Sequence, residues 1–215
     1  MLSILGRDNS INVRKVLWTC AEIGLPFTLE PWGAGVRSTQ ESDFLTLNPN
    51  GLVPVMRETG PAGEFVLWES NTICRYLAAQ HGRDDLLPGE PRARAQVEQW
   101  MDWMAGELNN AWRYAFMALV RKSAVHSDAA AVQASIVQWS RHMTMLDAQL
   151  NAQAQRGSGF VVGTQFTLAD VVLGLATHRW LGSPIERLAL PALSAYYERL
   201  SLRAAFAANG RHGPP

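Results

Sequence analysis

The apolar positions of the first 80 residues alternate between short runs and one helical stripe. Residues 2–5 form a short apolar run that predicts a β-strand. Apolar residues then recur at helical spacing from Val13 onward, and Gly24 with Pro26 predicts where this helix ends. Residues 27–32 are predicted to form a second strand.

A β-hairpin and a further helix are predicted next. Two short apolar runs, residues 52–56 and 65–68, flank the turn-rich segment 59–63. Ser70 follows at a position typical of a helix start. Strand, helix, strand, irregular segment, hairpin and helix is the order of a thioredoxin-like α/β domain.

The pattern becomes purely helical after the polar, turn-rich segment 82–90. One long apolar stripe spans residues 97–119, and a second, at alternating steps of four and three, spans residues 132–150. Thr167 and Asp170, preceded by Phe166, form the sequence pattern of a capping box with a hydrophobic staple. We therefore predict an α/β domain over residues 1–81, a linker over 82–90 and an all-helical bundle over 91–215.

Composition excludes several classes of function. The 215 residues carry 19 basic and 19 acidic side chains, and because these are scattered, no nucleic-acid-binding surface is expected. No apolar run approaches transmembrane length and the N-terminus lacks a signal-peptide pattern, so we expect a cytoplasmic protein without a membrane partner. The five histidines show no metal-ligand spacing, and no metal is expected.

Candidate binding residues lie at the two ends of the predicted hairpin. Pro54 cannot donate to a sheet, so the peptide group of Val53 is free to pair with an extended ligand. The free N–H groups at the helix start after Ser70 attract a carboxylate, and Glu69 can hold an ammonium group. A ligand with a peptide backbone and a zwitterionic end fits both features.

Val53-Pro54 followed by Glu69-Ser70, in a chain of this length, resembles the glutathione-binding half of the soluble glutathione S-transferases. The helical remainder of the chain is similar to that family as well. The resemblance implies glutathione as co-substrate and a cis Val53-Pro54 bond that pairs with the cysteinyl unit. It also implies that Glu69 and Ser70 hold the γ-glutamyl end.

The chemistry of such an enzyme requires the glutathione thiolate, and two residues compete to stabilise it. A cysteine thiol with a pKa near ~8.5 is mostly protonated at neutral pH, and a donor at a helix N-terminus favours the anion. Ser10 resembles the catalytic serine of theta-like transferases, whereas Asn12 resembles the asparagine of nu-like and disulfide-bond-reductase-like members. Either residue could also serve only as a helix cap. Both remain open, with Ser10 slightly favoured.

Other predicted roles depend on the resemblance more than on the residues. Leu52 occupies a position where many relatives contact the glycyl end of glutathione with a polar or basic side chain, so Asn50 or Arg37 is expected to substitute. A pocket for a small hydrophobic electrophile is predicted at three residues of the second domain: Trp112, Arg113 and Phe116. Attack on an electrophilic carbon, a peroxide or a disulfide remains open.

Assembly is also predicted. The helix after Ser70 carries more apolar residues than one narrow stripe needs, and the family resemblance implies a homodimer interface there. The alternative function is a non-catalytic module of the same fold that serves protein interaction.

Overall fold

The computed structural model describes residues 1–33, 35–61, 63–211 and 213, and its first 80 residues form a mixed α/β unit. The elements are β1 (Leu2–Leu5), α1 (Ile11–Ile23), β2 (Thr28–Glu30), α2 (Ser42–Leu47), β3 (Val55–Gly60), β4 (Gly63–Trp68) and α3 (Ser70–Gln80). This order confirms the predicted thioredoxin-like arrangement. The second strand is shorter than predicted, and Ala62, within the predicted hairpin turn, lies outside the described residues.

The four strands form one sheet in the order β2-β1-β3-β4. β1 runs parallel to β2 and antiparallel to β3, and Ile4 pairs with Met56 in the second of these ladders. Side chains alternate between the two faces of a strand. Ile4 therefore faces the core shared with α1 and α3, whereas Leu5 packs with Phe44 of α2 on the other face. The middle of β1 is therefore buried on both sides.

The remainder of the chain is helical. Its elements are α4 (Pro91–Trp103), a π-helical turn (Met104–Leu108), α5 (Asn109–Leu119), a 3-10 turn (Ala124–His126), α6 (Ala129–Gln155), α7 (Leu168–Gly182), α8 (Pro191–Ser201) and α9 (Ala204–Asn209). The predicted apolar stripe over 97–119 thus lies on α4 and α5, which the π-helical turn joins. Within the described parts of the chain, no helix combines the length and apolar character that a membrane span requires.

The predicted capping box is present at the start of α7. The Oδ2 atom of Asp170 accepts a hydrogen bond of 2.8 Å from the N–H of Thr167. Its Oδ1 atom accepts from the N–H of Val161 at 3.0 Å and from the hydroxyl of Tyr196 at 3.1 Å. Burial raises the pKa of Asp170 to about 6, although the two backbone donors lower it. Asp170 therefore ties a loop and α8 to α7.

An aromatic contact and an ion pair hold helix α1 against the helical part of the chain. Trp18 packs on Phe206 of α9 with 4.4 Å between ring centres and 30° between the ring planes. Arg203 donates to both carboxylate oxygens of Glu22, at 2.8 and 2.6 Å. These contacts fix the direction of α1, whose N-terminus carries the predicted thiol-activating residues. The predicted domain boundaries at residues 81 and 91 stay a prediction.

Candidate functional site

Asn48 organises the loop that leads into β3. Its side chain is buried, and Nδ2 donates a hydrogen bond of 2.7 Å to the carbonyl of Leu52. Its Oδ1 accepts from the backbone N–H of Asn50 at 3.1 Å and from the Asn50 amide at 2.9 Å. Gly51 has φ 61°, and a Cβ there would lie 2.3 Å from Nε2 of Gln40. The sequence reasoning assigned no role to Asn48, although a buried asparagine in a turn is a common loop organiser.

The peptide bond between Val53 and Pro54 is cis, as the resemblance implied. Neither the N–H nor the carbonyl of Val53 hydrogen-bonds to any residue that the structure describes. Gly6, with φ 154°, lies so close that a Cβ there would be 3.3 Å from Cβ of Val53 and 2.4 Å from Cγ2 of Val13. The end of β1 thus approaches the Val53 peptide, which is left free to pair with a ligand.

Glu69 joins β4 to α3 in an unfavourable backbone conformation. Its φ of 72° and ψ of 108° cost a non-glycine residue about 1–3 kcal/mol. The first helical hydrogen bond runs from the N–H of Ile73 to the carbonyl of Glu69, at 2.9 Å. Because the Glu69 side chain does not cap the helix, the N–H groups from Ser70 onward in this first turn are left for an anion.

Two cavities meet at this helix start. The first, the strand-end cavity, has a volume of about 50 Å³ and is lined by Asn12, Asn48, Asn50, Leu52, Val53, Pro54, Glu69 and Ser70. The second, the interhelical cavity, has a volume of about 330 Å³ and is lined by Asn12, Lys15, Glu69, Ser70, Asn71, Thr72, Arg75, Asp102, Ala105 and Asn109. Asn12, Glu69 and Ser70 line both. The structure therefore brings together most of the predicted glutathione-binding residues, and the larger cavity has the size of a small-ligand site.

Lys15 is a residue of the interhelical cavity that the sequence reasoning missed. It is only 2% exposed, and burial lowers its pKa to about 8, while the neighbouring Cys74 and Glu69 raise it. The sequence feature that could have revealed this residue is a lysine among the apolar positions of α1. The π-helical turn supplies Ala105 to the same wall, consistent with the frequent occurrence of π-helical turns at functional sites.

The two candidate thiol donors are placed differently. Ser10 is the N-cap residue of α1 with φ −89° and ψ 124°, and its hydroxyl makes no capping hydrogen bond. It lines neither of the two cavities, whereas Asn12 lines both. The expectation that Ser10 is slightly favoured therefore finds no support in the cavity geometry.

Arg37 lies apart from both cavities. Its guanidinium pairs with Glu41 at 2.9 Å and with Asp43 at 3.1 Å, and it covers the ring of Trp32 at 3.8 Å. A role at the glycyl end of glutathione would require Arg37 to leave these partners. Leu52, by contrast, is 65% exposed and lines the strand-end cavity.

The predicted second-substrate residues do not form one wall. Trp112 is 1% exposed and packs on Trp139 in the helical core, and Phe116 is buried beneath the guanidinium of Arg179. Arg113 is exposed, since consecutive helical residues point about 100° apart. Burial therefore corrects the expectation that these three residues face an open cleft together.

No metal site competes with this interpretation in the part of the chain that the structure describes. There, no group of three or more His, Cys, Asp or Glu side chains is placed to hold an ion.

Comparison with known proteins gives a consistent assignment. A family model described as the glutathione S-transferase N-terminal domain matches residues 9–80, and one described as the C-terminal domain matches residues 108–204. The chain is 37% identical over 205 residues to glutathione S-transferase GstB of Escherichia coli (strain K12), covering 95% of each chain. It is 31% identical over 212 residues to glutathione S-transferase 3 of Zea mays, covering 95% of this chain and 91% of the relative.

A solved structure supports the same family assignment. The theta class glutathione S-transferase from the citrus canker pathogen Xanthomonas axonopodis pv. citri, with glutathione bound, superimposes with a TM-score of 0.88. The identity is 36%, and the match covers 99% of this chain and 98% of that one. On fold, cavities and similarity together, the chain belongs to the glutathione S-transferase family of enzymes.

Proposed function

We propose that this enzyme binds glutathione across the strand-end and interhelical cavities and transfers it, as the thiolate, to an electrophilic acceptor. The observation that carries the proposal is the peptide group of Val53 beside cis-Pro54, which pairs with no described residue and lies in the same cavity as the start of α3. The cysteinyl unit of glutathione pairs with that peptide. Its γ-glutamyl carboxylate accepts from the first N–H groups of α3 and from Ser70, and its ammonium group meets Glu69.

The thiol then lies at the N-terminus of α1. A single side-chain hydrogen bond to a charged acceptor is worth about 1.5–3 kcal/mol, which lowers a thiol pKa of ~8.5 by about one to two units. The helix dipole adds to this effect. Asn12 is the preferred donor because it lines both cavities, and Ser10 is the alternative.

The glycyl end of glutathione lies over the loop at Asn50. One hydrogen of the Asn50 amide bonds to Asn48, which leaves the second available. Leu52 contributes only apolar contact there. Arg37 is a weaker candidate because two carboxylates hold it.

Transfer to a carbon electrophile is preferred over the other outcomes. Relatives that match at least nine-tenths of both chains are named glutathione S-transferases, and the match to a theta class structure with glutathione bound supports a theta-like enzyme. Reduction of a peroxide or disulfide uses the same thiolate and is the second candidate. The retained binding groups argue against a non-catalytic interaction module, and a cytoplasmic location remains part of the proposal.

Titration calorimetry with reduced and oxidised glutathione tests the proposal. Ser70→Ala and Glu69→Gln are expected to weaken binding of reduced glutathione by about 1–3 kcal/mol each, because a charged ligand group loses a partner. Ser42→Ala, at the start of α2, serves as the matched control and should bind as the wild type does. Absence of binding would support the interaction module, and a preference for oxidised glutathione would favour disulfide reduction.

A further inference from the structure

Three arginines converge beside the N-terminal part of α1, outside the two glutathione cavities. Arg14 of α1 donates from Nε to the carbonyl of Asp8, and Arg121, just after α5, donates from Nη2 to the carbonyl of Asn9 at 3.2 Å. Arg179 of α7 lines a small cavity of about 10 Å³ together with Arg14. We call Arg14, Arg121 and Arg179 the arginine cluster.

Among the residues that the structure describes, no carboxylate pairs with the guanidinium of Arg179. The residue is 6% exposed, and its buried Nε atom hydrogen-bonds to nothing among the described residues. Its contacts are aromatic: the guanidinium carbon lies 3.9 Å from the ring centre of Phe116 and 5.4 Å from that of Trp112. Arg121 lies over the same Phe116 ring at 5.2 Å. Two cations thus share one ring, which compensates only part of their charge.

Such an arrangement favours an anion. An arginine stays charged under ordinary conditions, and burying a charge without a hydrogen-bonded counter-ion is costly. Burial, together with the charges of Arg121 and Arg14, lowers the pKa of Arg179 to about 9. Asp8 is the acidic residue whose charge acts on Arg14. A ligand carboxylate would supply the partner that none of the described residues provides.

The cluster adjoins the position expected for the glutathione sulfur. Its hydrogen bonds to Asp8 and Asn9 hold the turn that leads directly into Ser10. In the first turn of α1, Ile11 lines the small cavity of the cluster, whereas Asn12 lines the glutathione cavities. A thiolate held at this helix start therefore stands between glutathione's own binding groups and the arginines.

We propose that the acceptor attacked by glutathione is an electrophile that carries a carboxylate, and that Arg179, with Arg121 and Arg14 beside it, binds this carboxylate. The inference rests on the proposed function and replaces the expected purely hydrophobic electrophile. In the reaction the thiolate electron pair forms the new S–C bond, and the leaving group departs with the electrons of the broken bond. The carboxylate remains unchanged and orients the carbon under attack.

Product analogues of two lengths test the proposal. S-(2-carboxyethyl)glutathione is compared with S-(2-carbamoylethyl)glutathione, and S-(4-carboxybenzyl)glutathione with S-(4-carbamoylbenzyl)glutathione, by titration calorimetry. The members of each pair share one skeleton and differ at one end, which is an anionic carboxylate in one and a neutral amide in the other. We expect the wild type to bind the carboxylate of at least one pair about tenfold more tightly than the matching amide.

Variants test whether this preference for the carboxylate depends on the arginine cluster. Arg179→Met should abolish it while changing affinity for the amide analogue by less than about threefold, and Arg121→Met, at an exposed position, should reduce it. Arg156→Met, which removes an exposed arginine at the end of α6, should leave it unchanged.

Two results would overturn this inference and leave the proposed function standing. One is that the wild type binds both members of each pair equally well. The other is that Arg179→Met and Arg121→Met both keep the full preference for the carboxylate. Arg121→Met decides the matter if Arg179→Met does not fold. Failure to bind reduced glutathione as well as all four analogues would overturn the proposed function together with it.

Discussion

The side chain of Asn48 holds the carbonyl of Leu52 at 2.7 Å, and this bond shapes the loop that presents the Val53 peptide. We expect Asn48→Ala to weaken binding of reduced glutathione by about 1–3 kcal/mol, because the Leu52 carbonyl and the Asn50 donors lose their partner. Calorimetry measures the affinity. Thr46→Ala, an exposed site in α2 nearby, is the control, and an Asn48→Ala variant of wild-type affinity would contradict a positioning role.

Removal of the thiol donor should affect the rate more than the affinity. We expect Asn12→Ala to raise the pKa of bound glutathione and to lower turnover by more than about tenfold, with little change in the affinity for glutathione. Ser10→Ala should have the smaller effect. The pH dependence of the rate and calorimetry of the same variants separate the two quantities. Wild-type rates in both variants would exclude side-chain activation by this turn.

Lys15 should make stability depend on pH. Its pKa is lowered to about 8 in the folded protein, so between about pH 8 and 10 the unfolded chain binds more protons, and stability rises with pH. Lys15→Met removes this dependence. We expect the variant without ligand to be more stable than the wild type by about 2–3 kcal/mol at about pH 7, an advantage that shrinks by about 1 kcal/mol per pH unit above pH 8.

Urea unfolding at several pH values measures the advantage of Lys15→Met. The chain's other lysine, Lys122, is exposed, and Lys122→Met should show no such dependence. A constant difference between Lys15→Met and the wild type across this pH range would contradict the lowered pKa.

Asp170 should be among the most sensitive positions for stability. Asp170→Asn places amide hydrogens against donors from Val161, Thr167 and Tyr196, so we expect a loss of about 2–4 kcal/mol in the free energy of unfolding. Tyr196→Phe removes only one of these donors and should cost about 1 kcal/mol. Chemical unfolding compares the two variants, and equal losses would argue against a network centred on the carboxylate.

A homodimer remains a prediction, and two partly exposed aromatic residues of β4 support it. Phe65 and Trp68 are 44% and 38% exposed, and Phe65 packs on Tyr76 of α3 at 5.1 Å between ring centres. We expect sedimentation to detect a species of twice the chain mass of 23.7 kDa, and Phe65→Glu to shift it toward the monomer. A fully active monomer at micromolar concentration would contradict the predicted interface.

Features set by neighbours in sequence could be read from the residues alone. The start of α3 at Ser70 and the capping box of Thr167 and Asp170 depend on local turn and cap chemistry, so they appear where the pattern predicts them. The hairpin forms as well, but β3 begins only at Val55 and the two strands extend to Gly60 and Gly63, into the predicted turn. The pairing of Val53-Pro54 with Glu69-Ser70 also sufficed for the family, because a motif with that spacing is specific. The cis bond followed from the resemblance, since sequence alone favours trans.

Only the tertiary structure decided which side chains reach the site. Arg37 was a candidate ligand by type, yet Glu41 and Asp43 hold it on the surface, and Trp112 is enclosed by packing on Trp139. Conversely, the sequence shows Arg179 only as one charged residue on an apolar helix. The fold places two further arginines beside it, one from α1 and one that follows α5. A residue's type and helical spacing give its chemistry and its angle around its own helix. Its burial and partners depend on which distant segments pack against that face, and local pattern carries no information about those contacts.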